Sequence, residues 1–280
     1  MFESIGRSLG LVKTSWDVLM DDKKLLVFPL LSGIVTLLVI LTFVLPLFVS
    51  DAFVSSGSLI TIVYLFLFYV ASYFVVIFFN TALISCVNAK LNGKTMSVGE
   101  GLSNSAKHLP GILGWAIVAA TVGLILNLLE ERAGFIGDIV LAVIGGVWSL
   151  VTYFVVPVLV LEDKGVFDSL KGSVSLVKKT WGESIVGSAS IAIIFVVVGV
   201  IAALGVFATL LVVPVIFIPV LALFLLLVVI LAVLYSAMQG IFVTALYTYA
   251  KTGTVPSAFS QDLIANAFVP KLKGPSQGNI

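Results

Sequence analysis

The chain has 280 residues, 60% of them hydrophobic and 10% charged, against about 45–50% apolar and about 25% charged in an ordinary soluble domain. That composition excludes a soluble enzyme core, and 15 Lys and Arg against 14 Asp and Glu leave no whole-protein field for nucleic acid or an acidic substrate. The single cysteine, Cys86, excludes an internal disulfide and a zinc site built on Cys pairs, and reads as a small core residue.

An amphipathic segment comes first. Phe2, Ile5, Leu9, Val12, Trp16 and Leu19 recur by three and four, with Glu3, Arg7, Lys13, Thr14 and Asp17 elsewhere on the wheel, the pattern of a helix lying in a membrane interface. Its acidic residues and the long apolar run after it argue against a cleaved signal. Six apolar runs follow, at about 26–49, 58–89, 110–129, 134–161, 184–213 and 216–249, each of the length needed to cross a bilayer core. The second, fourth and sixth are longer than the hydrocarbon requires, so they are expected to tilt, kink or protrude.

Further amphipathic stripes stand between the hairpins. Phe167, Leu170, Val174, Val177 and Trp181 precede the fifth span; Val98, Leu102, Ala106 and Leu109 form a weaker stripe before the third; Phe259, Leu263 and Ala267 form a fourth after Pro256. Whether these faces meet lipid or extensions of the long spans is left open by the pattern alone. Every Lys and Arg except Arg132 lies on one side of the six runs, which by the positive-inside rule is cytoplasmic, with both termini there. Lys13, Trp16, Trp115, Lys178, Lys179 and Trp181 are the expected interfacial anchors, and anionic lipid of that leaflet is the expected partner.

The chain also repeats itself. Ser8–Trp16 (SLGLVKTSW) and Ser173–Trp181 (SVSLVKKTW) agree at Ser, Leu, Val, Lys and Trp across an offset of 165 residues. Thr81-Ala82-Leu83 runs on to Lys90 and Gly93, and Thr244-Ala245-Leu246 runs on to Lys251 and Gly253, while the fourth span ends in Glu162-Asp163-Lys164-Gly165. The predicted fold is all-α: one integral membrane domain over 1–280, a bundle of six transmembrane helices in three parallel hairpin repeats (about 1–94, 95–165 and 166–253) with cytoplasmic amphipathic helices and an amphipathic tail over 254–280.

Chemistry is sparse. His108 is the only histidine, which excludes a His-pair metal site, and it reads as a solvated loop residue. Glu162 and Asp163 read as loop charges, with Asp168 as an N-cap or first-turn acid. No catalytic residue, cofactor site or metal-ligand set is identified. Asn80, Asn127 and Gln239 are the polar residues within the spans that could line a cavity or bond a neighbouring helix. Ala142 with Gly146 and Gly199 with Ala203 suggest close helix contacts in spans four and five, and leave room for a homo-oligomer.

Three parallel hairpins are also the plan of the mitochondrial carriers, but the acid of their Pro-x-acid-x-x-base motif is missing after Pro46 and Pro214, and that family is rejected. LVKTSW followed by DKKLLVFPLLSG (Asp22–Gly33), PVLVLEDKGVFDSLKGSVSLVKKTW (Pro157–Trp181), ALYTYAKTG and DLIANAFVPK (Asp262–Lys271) together resemble a family of uncharacterised prokaryotic six-helix membrane proteins. Pro157–Trp181 is the most specific part of that resemblance, and its Pro-x-x-x-x-Glu segment (Pro157–Glu162) also resembles membrane domains attached to some glycerophosphodiester phosphodiesterases. The resemblance implies a six-helix fold and a prokaryotic plasma membrane, and it carries over no catalytic residue. The expected function is that of a non-enzymatic protein that binds or organises the cytoplasmic leaflet, or docks a partner there; a transporter or channel for a small or lipidic solute is the alternative.

Overall fold

The computed structural model describes residues 2–49, 59–131, 134–212, 216–256 and 259, and the side chains of all of these except 2–9, 47–49, 135–136, 181–188 and 210–212. Among them the chain is helical and has no strand: α1 (Phe2–Asp21), a 3-10 turn (Lys23–Leu26), α2 (Val27–Val49), α3 (Leu59–Leu91), α4 (Val98–Lys107), α5 (Leu109–Glu130), α6 (Phe135–Val151), α7 (Val155–Leu161), α8 (Val166–Val212) and α9 (Phe217–Thr252). Six stretches are long and apolar enough to cross a membrane: Lys23–Pro46, Leu59–Leu91, Leu109–Glu130, Gly137–Leu161, Ala189–Thr209 and Phe217–Thr252. They coincide with the six runs expected from hydropathy. The tail stripe at Leu263 and Ala267, and Arg132, lie outside the described residues.

Local chemistry sets the helix ends at the basic side. Ser97 caps α4 by accepting from Glu100 N at 3.2 Å while Glu100 accepts from Ser97 N at 2.7 Å, a reciprocal capping box. Hydrogen bonds from the Ser97 backbone to the carboxylate hold the Glu100 carboxyl below its usual range. The exits of α3 and α9 pass through Gly93 and Gly253 in the left-handed region, where glycine carries no Cβ penalty. The exit of α7 reaches the same region through Asp163, at φ 50°, although Gly165 is nearby. Aspartate tolerates that conformation better than most residues.

The long segments depart from a continuous helix at two places. The fourth span is interrupted after Val151, and α7 resumes at Val155. In an apolar surrounding a free N–H at such a break is costly, and here Phe154 N donates to the Ser173 hydroxyl of α8 at 3.0 Å, both buried. The expected helix before span five and the span itself are two helices, joined end to end within α8. The only departure from helical geometry within it is at Thr180 (φ −127°, ψ 21°), where two helices meet across a kink.

The dense core sits toward the basic end. Buried side chains run through Val75–Leu91 of α3 and Ala237–Ala250 of α9, whereas α2 beyond Pro29 and α9 from Ile218 to Ile230 are largely exposed. The amphipathic segments cover that core: α4 packs on α3, the start of α8 on α7, and α1 on α8 and α9. Leu11, Ser15, Val18 and Leu19 of α1 are buried, as are Ser169, Ser173, Leu176 and Val177 of α8. These faces therefore meet protein. The small-residue faces do not behave as expected: a Cβ on Gly146 or Gly199 would meet nothing within 4 Å, so neither glycine serves a close helix contact within the chain.

Ser173→Ala is expected to leave the Phe154 N–H unpaired and to destabilise the protein by about 1–3 kcal/mol, read as a lower Tm in detergent; Ser175→Ala, on the exposed side of the same turn, should leave Tm unchanged.

Candidate functional site

The polar residues of the spans converge at one place. Asn80 of α3 and Gln239 of α9 line a pocket of about 300 Å³ together with Ser32 and Pro29 of α2, Val76, Phe79 and Leu83 of α3, and Tyr235, Ser236, Gly240 and Val243 of α9. Gly240 makes this meeting feasible, because a Cβ there would collide with the Leu83 side chain, and the two long spans approach closely across it. Tyr235 and Gln239, one turn apart, are linked by a hydrogen bond from Gln239 Nε2 to the Tyr235 hydroxyl at 3.2 Å. No lining residue carries a formal charge. Among the described residues, the side chains of Asn80, Ser32 and Ser236 form no hydrogen bond with the protein.

A second, apolar hollow of about 540 Å³ adjoins the pocket. Pro29, Ser32, Val76 and Ser236 are shared, and Ile34, Leu37, Ile40, Val229 and Val233 extend it between α2 and α9. Thr36 lines this part, and its hydroxyl is inaccessible and unpaired among the described residues.

A second polar centre pins the helices around the pocket. Glu162, at the end of α7, has its side chain only 13% exposed and accepts from Tyr247 Oη (2.9 Å), Lys251 Nζ (2.7 Å) and Lys164 Nζ (2.8 Å). Burial opposes its ionisation, but hydrogen bonds from Lys164, Lys251 and Tyr247 outweigh burial and hold the carboxyl at about 2. This tie fixes the end of α9, two turns from Gln239, to α7. Beside it, His108 Nδ1 donates to Asn104 O (2.8 Å) and Nε2 lies 3.3 Å from Asp163, joining the α4–α5 junction to the α7–α8 turn.

These contacts change several sequence readings. Glu162 is an enclosed ion-pair centre where a loop charge was expected, because its partners on α9 lie 85 and 89 residues away. His108 is largely enclosed and bonded, where a solvated loop residue was expected. Asp168 does lie in the first turn of α8, paired with Lys171 at 3.7 Å. Asn127 lies in α5 and does not line the pocket. Ser32, Tyr235 and Ser236 were missed; Ser and Thr in spans usually bond the preceding turn, so their spacing alone carried no signal.

The expected anchors separate in the same way. Lys13 and Trp16 line a groove with Ile194, Phe195, Leu231 and Leu234, where the basic layer meets the apolar flanks of α8 and α9, and Trp16 is 40% exposed. Lys178 and Lys179 are exposed on α8. Trp115 is 5% exposed and stacks on Trp148, with centroids 5.9 Å apart, inside the bundle and away from the surface that anchoring uses. The Trp181 side chain lies outside the described residues. Among the described residues, no three His, Cys, Asp or Glu side chains gather into a metal-binding group.

The Glu162 tie generates a pH prediction. A carboxyl held at about 2, against its ordinary 4.5, contributes stability that is complete above the ordinary value and is lost as pH falls through about 2. Glu162→Gln should lower Tm at pH 7 by an amount equivalent to about 1–2 kcal/mol. It should also flatten the fall in Tm between pH 5 and 2, measured by circular dichroism in detergent; an unchanged acid limb would overturn the assignment.

No curated protein matches the chain. Residues 59–257, from α3 to the exit of α9, match a family of unknown function (DUF6159). The matched region holds Asn80, Gln239 and the Glu162 tie, and leaves α1 and α2 outside it. With more than two thirds of its length in the match, the chain belongs to this family of unknown function, as a protein with six helices able to cross a membrane.

Proposed function

We propose that the protein is a non-enzymatic integral membrane protein that binds and organises the leaflet at its basic end, the cytoplasmic leaflet of the plasma membrane by the distribution of Lys and Arg. The observation that carries this reading is the two-sided character of α1. Leu11, Ser15, Val18 and Leu19 are buried in the protein, while Lys13 and Trp16 stay outside on a groove continuous with the apolar flanks of α8 and α9. A lysine and a tryptophan at the boundary between apolar span and basic layer suit a lipid headgroup region. Exposed Phe167 and the exposed Lys178 and Lys179 of α8 support the same role on a second helix. Because the other faces are held by protein, the basic groups are presented at a set depth.

The repeat reading gains support from packing. α4 covers α3, α8 covers α7 and α1 covers α9, so each amphipathic segment lies on the second span of the preceding unit and the third unit closes on the first. Equivalent positions also share burial: Leu11 with Leu176, and Ser15 with Thr180, are buried, whereas Lys13 and Lys178 are exposed. The likeness to membrane domains attached to phosphodiesterases rests on the Pro-x-x-x-x-Glu segment, Pro157–Glu162, at the end of α7, and it brings no catalytic group. A transporter or channel for a small or lipidic solute is the second reading, favoured by the pocket at Asn80 and Gln239. Solute flux into proteoliposomes, abolished by Gln239→Leu, would establish it over the first.

In nanodiscs of phosphatidylcholine with one-fifth phosphatidylglycerol, the lipid retained by the protein should be enriched in phosphatidylglycerol. The combined Lys13→Glu, Lys178→Glu and Lys179→Glu variant should lose that enrichment, each lysine near anionic lipid contributing about 1 kcal/mol. Equal lipid composition for both proteins would overturn the leaflet-binding reading.

A further inference from the structure

The pocket and the apolar hollow beside it share four residues and form one groove, polar at one end and apolar along the rest. Along α2 it runs from Pro29 to Ile40, a length of about 16 Å at 1.5 Å per residue. That is close to half of the ~30 Å hydrocarbon core, the depth of a single leaflet. Its polar end lies nearer the start of α2, the basic side, and its apolar end points toward the middle of the spans. Groups at the polar end are neutral hydrogen-bonding amides and hydroxyls: Asn80, Gln239, Ser32, Ser236 and Tyr235.

An amide within a membrane span that has no protein partner is expensive unless something else bonds it. Asn80 is such a group among the described residues, and it offers a donor and an acceptor together. Uncharged ester carbonyls and hydroxyls satisfy both, whereas a phosphate or carboxylate would find no cation in this lining.

We propose that the groove between α2, α3 and α9 is a binding site for one acyl glycerolipid of the leaflet at the basic end. Its ester and glycerol oxygens bond Asn80 and the neighbouring hydroxyls, and one acyl chain lies along Ile34, Leu37, Ile40, Val229 and Val233. The proposal rests on the leaflet-binding reading above and names the site where a single lipid is held. An uncharged diacylglycerol and the glycerol region of a phospholipid share this chemistry.

The test uses the full chain in detergent, with dioleoylglycerol and dioleoyl-phosphatidylglycerol titrated separately at 0.15 and 1 M salt and bound lipid counted by native mass spectrometry. Asn80→Leu removes the polar anchor, and Gly33→Trp fills the apolar half, where a Cβ at Gly33 meets nothing within 4 Å. Gly145→Trp, at a similarly open position on α6, is the control, and Tm checks folding of each variant. The expected result is one lipid per chain, retained at 1 M salt, with both groove variants weakened about tenfold or more and the control unchanged. Binding of both lipids identifies the shared glycerol ester region as the determinant; binding of dioleoylglycerol alone supports the groove and places the phospholipid headgroup outside its fit. Binding of phosphatidylglycerol alone, abolished by salt and indifferent to Asn80→Leu and Gly33→Trp, would overturn the groove and leave the leaflet reading intact. A groove effect together with no effect of the triple lysine variant would do the reverse.

Discussion

Within a bilayer, apolar side chains gain little by leaving lipid for one another, so a helical membrane protein depends on close backbone approach and on polar groups that must be satisfied. Here that constraint is met at the basic end. Gly240 brings α9 against Leu83 of α3, Gly101 brings α4 against Cys86 and the Ala82 carbonyl, and Asn104 of α4 bonds Ser85 of α3 at 2.9 Å. The Glu162 tie and the Ser173 contact complete the same layer. The pocket at Asn80 and Gln239 exists because these contacts hold α3 and α9 in one register.

The amphipathic helices extend this logic to the membrane surface. In an isolated interfacial helix the apolar stripe is committed to lipid. In this chain the stripe is largely taken by protein, and the exposed side chains of α1 and of the start of α8 are Lys13, Trp16, Phe167, Lys171, Lys178 and Lys179 interspersed with Asp17, Asp21, Asp168 and Ser175. Such a helix lines the bundle with one face and leaves charged and aromatic groups exposed on the other, a division that needs no second conformation.

How much of this was legible in the sequence depends on the range of the interaction. Six spans could be read because the cost of placing a charge in hydrocarbon is local and accumulates over a run of residues. The break after Val151 is marked by Pro157, which lacks an N–H and whose ring clashes with the carbonyl of Tyr153 four residues earlier, but the serine that satisfies the break lies 19 residues on and carried no signal. The third exit was legible at Glu162-Asp163-Lys164-Gly165, but not that Asp163 rather than Gly165 takes the left-handed conformation there. Of the three amides singled out in the spans, Asn80 and Gln239 line one pocket and Asn127 does not, because Asn127 sits in the last turn of α5, away from the basic end where the pocket lies. Trp115 illustrates the limit that helix rotation sets, since a tryptophan near the start of a span reads alike whether it turns toward headgroups or toward Trp148.

The uneven distribution of packing also bears on how the molecule sits in bilayers of different thickness. Spans of 33 and 36 residues exceed what ~30 Å of hydrocarbon requires, and mismatch is relieved at a cost of fractions of a kcal/mol per Å by whichever part yields most readily. The polar ties and most of the buried side chains gather at the basic end, whereas the opposite halves of α2, α6, α8 and α9 expose most of their side chains. Thickness changes will therefore be absorbed by splaying and tilting of those far halves, with the basic layer keeping its depth like the fixed rim of a fan.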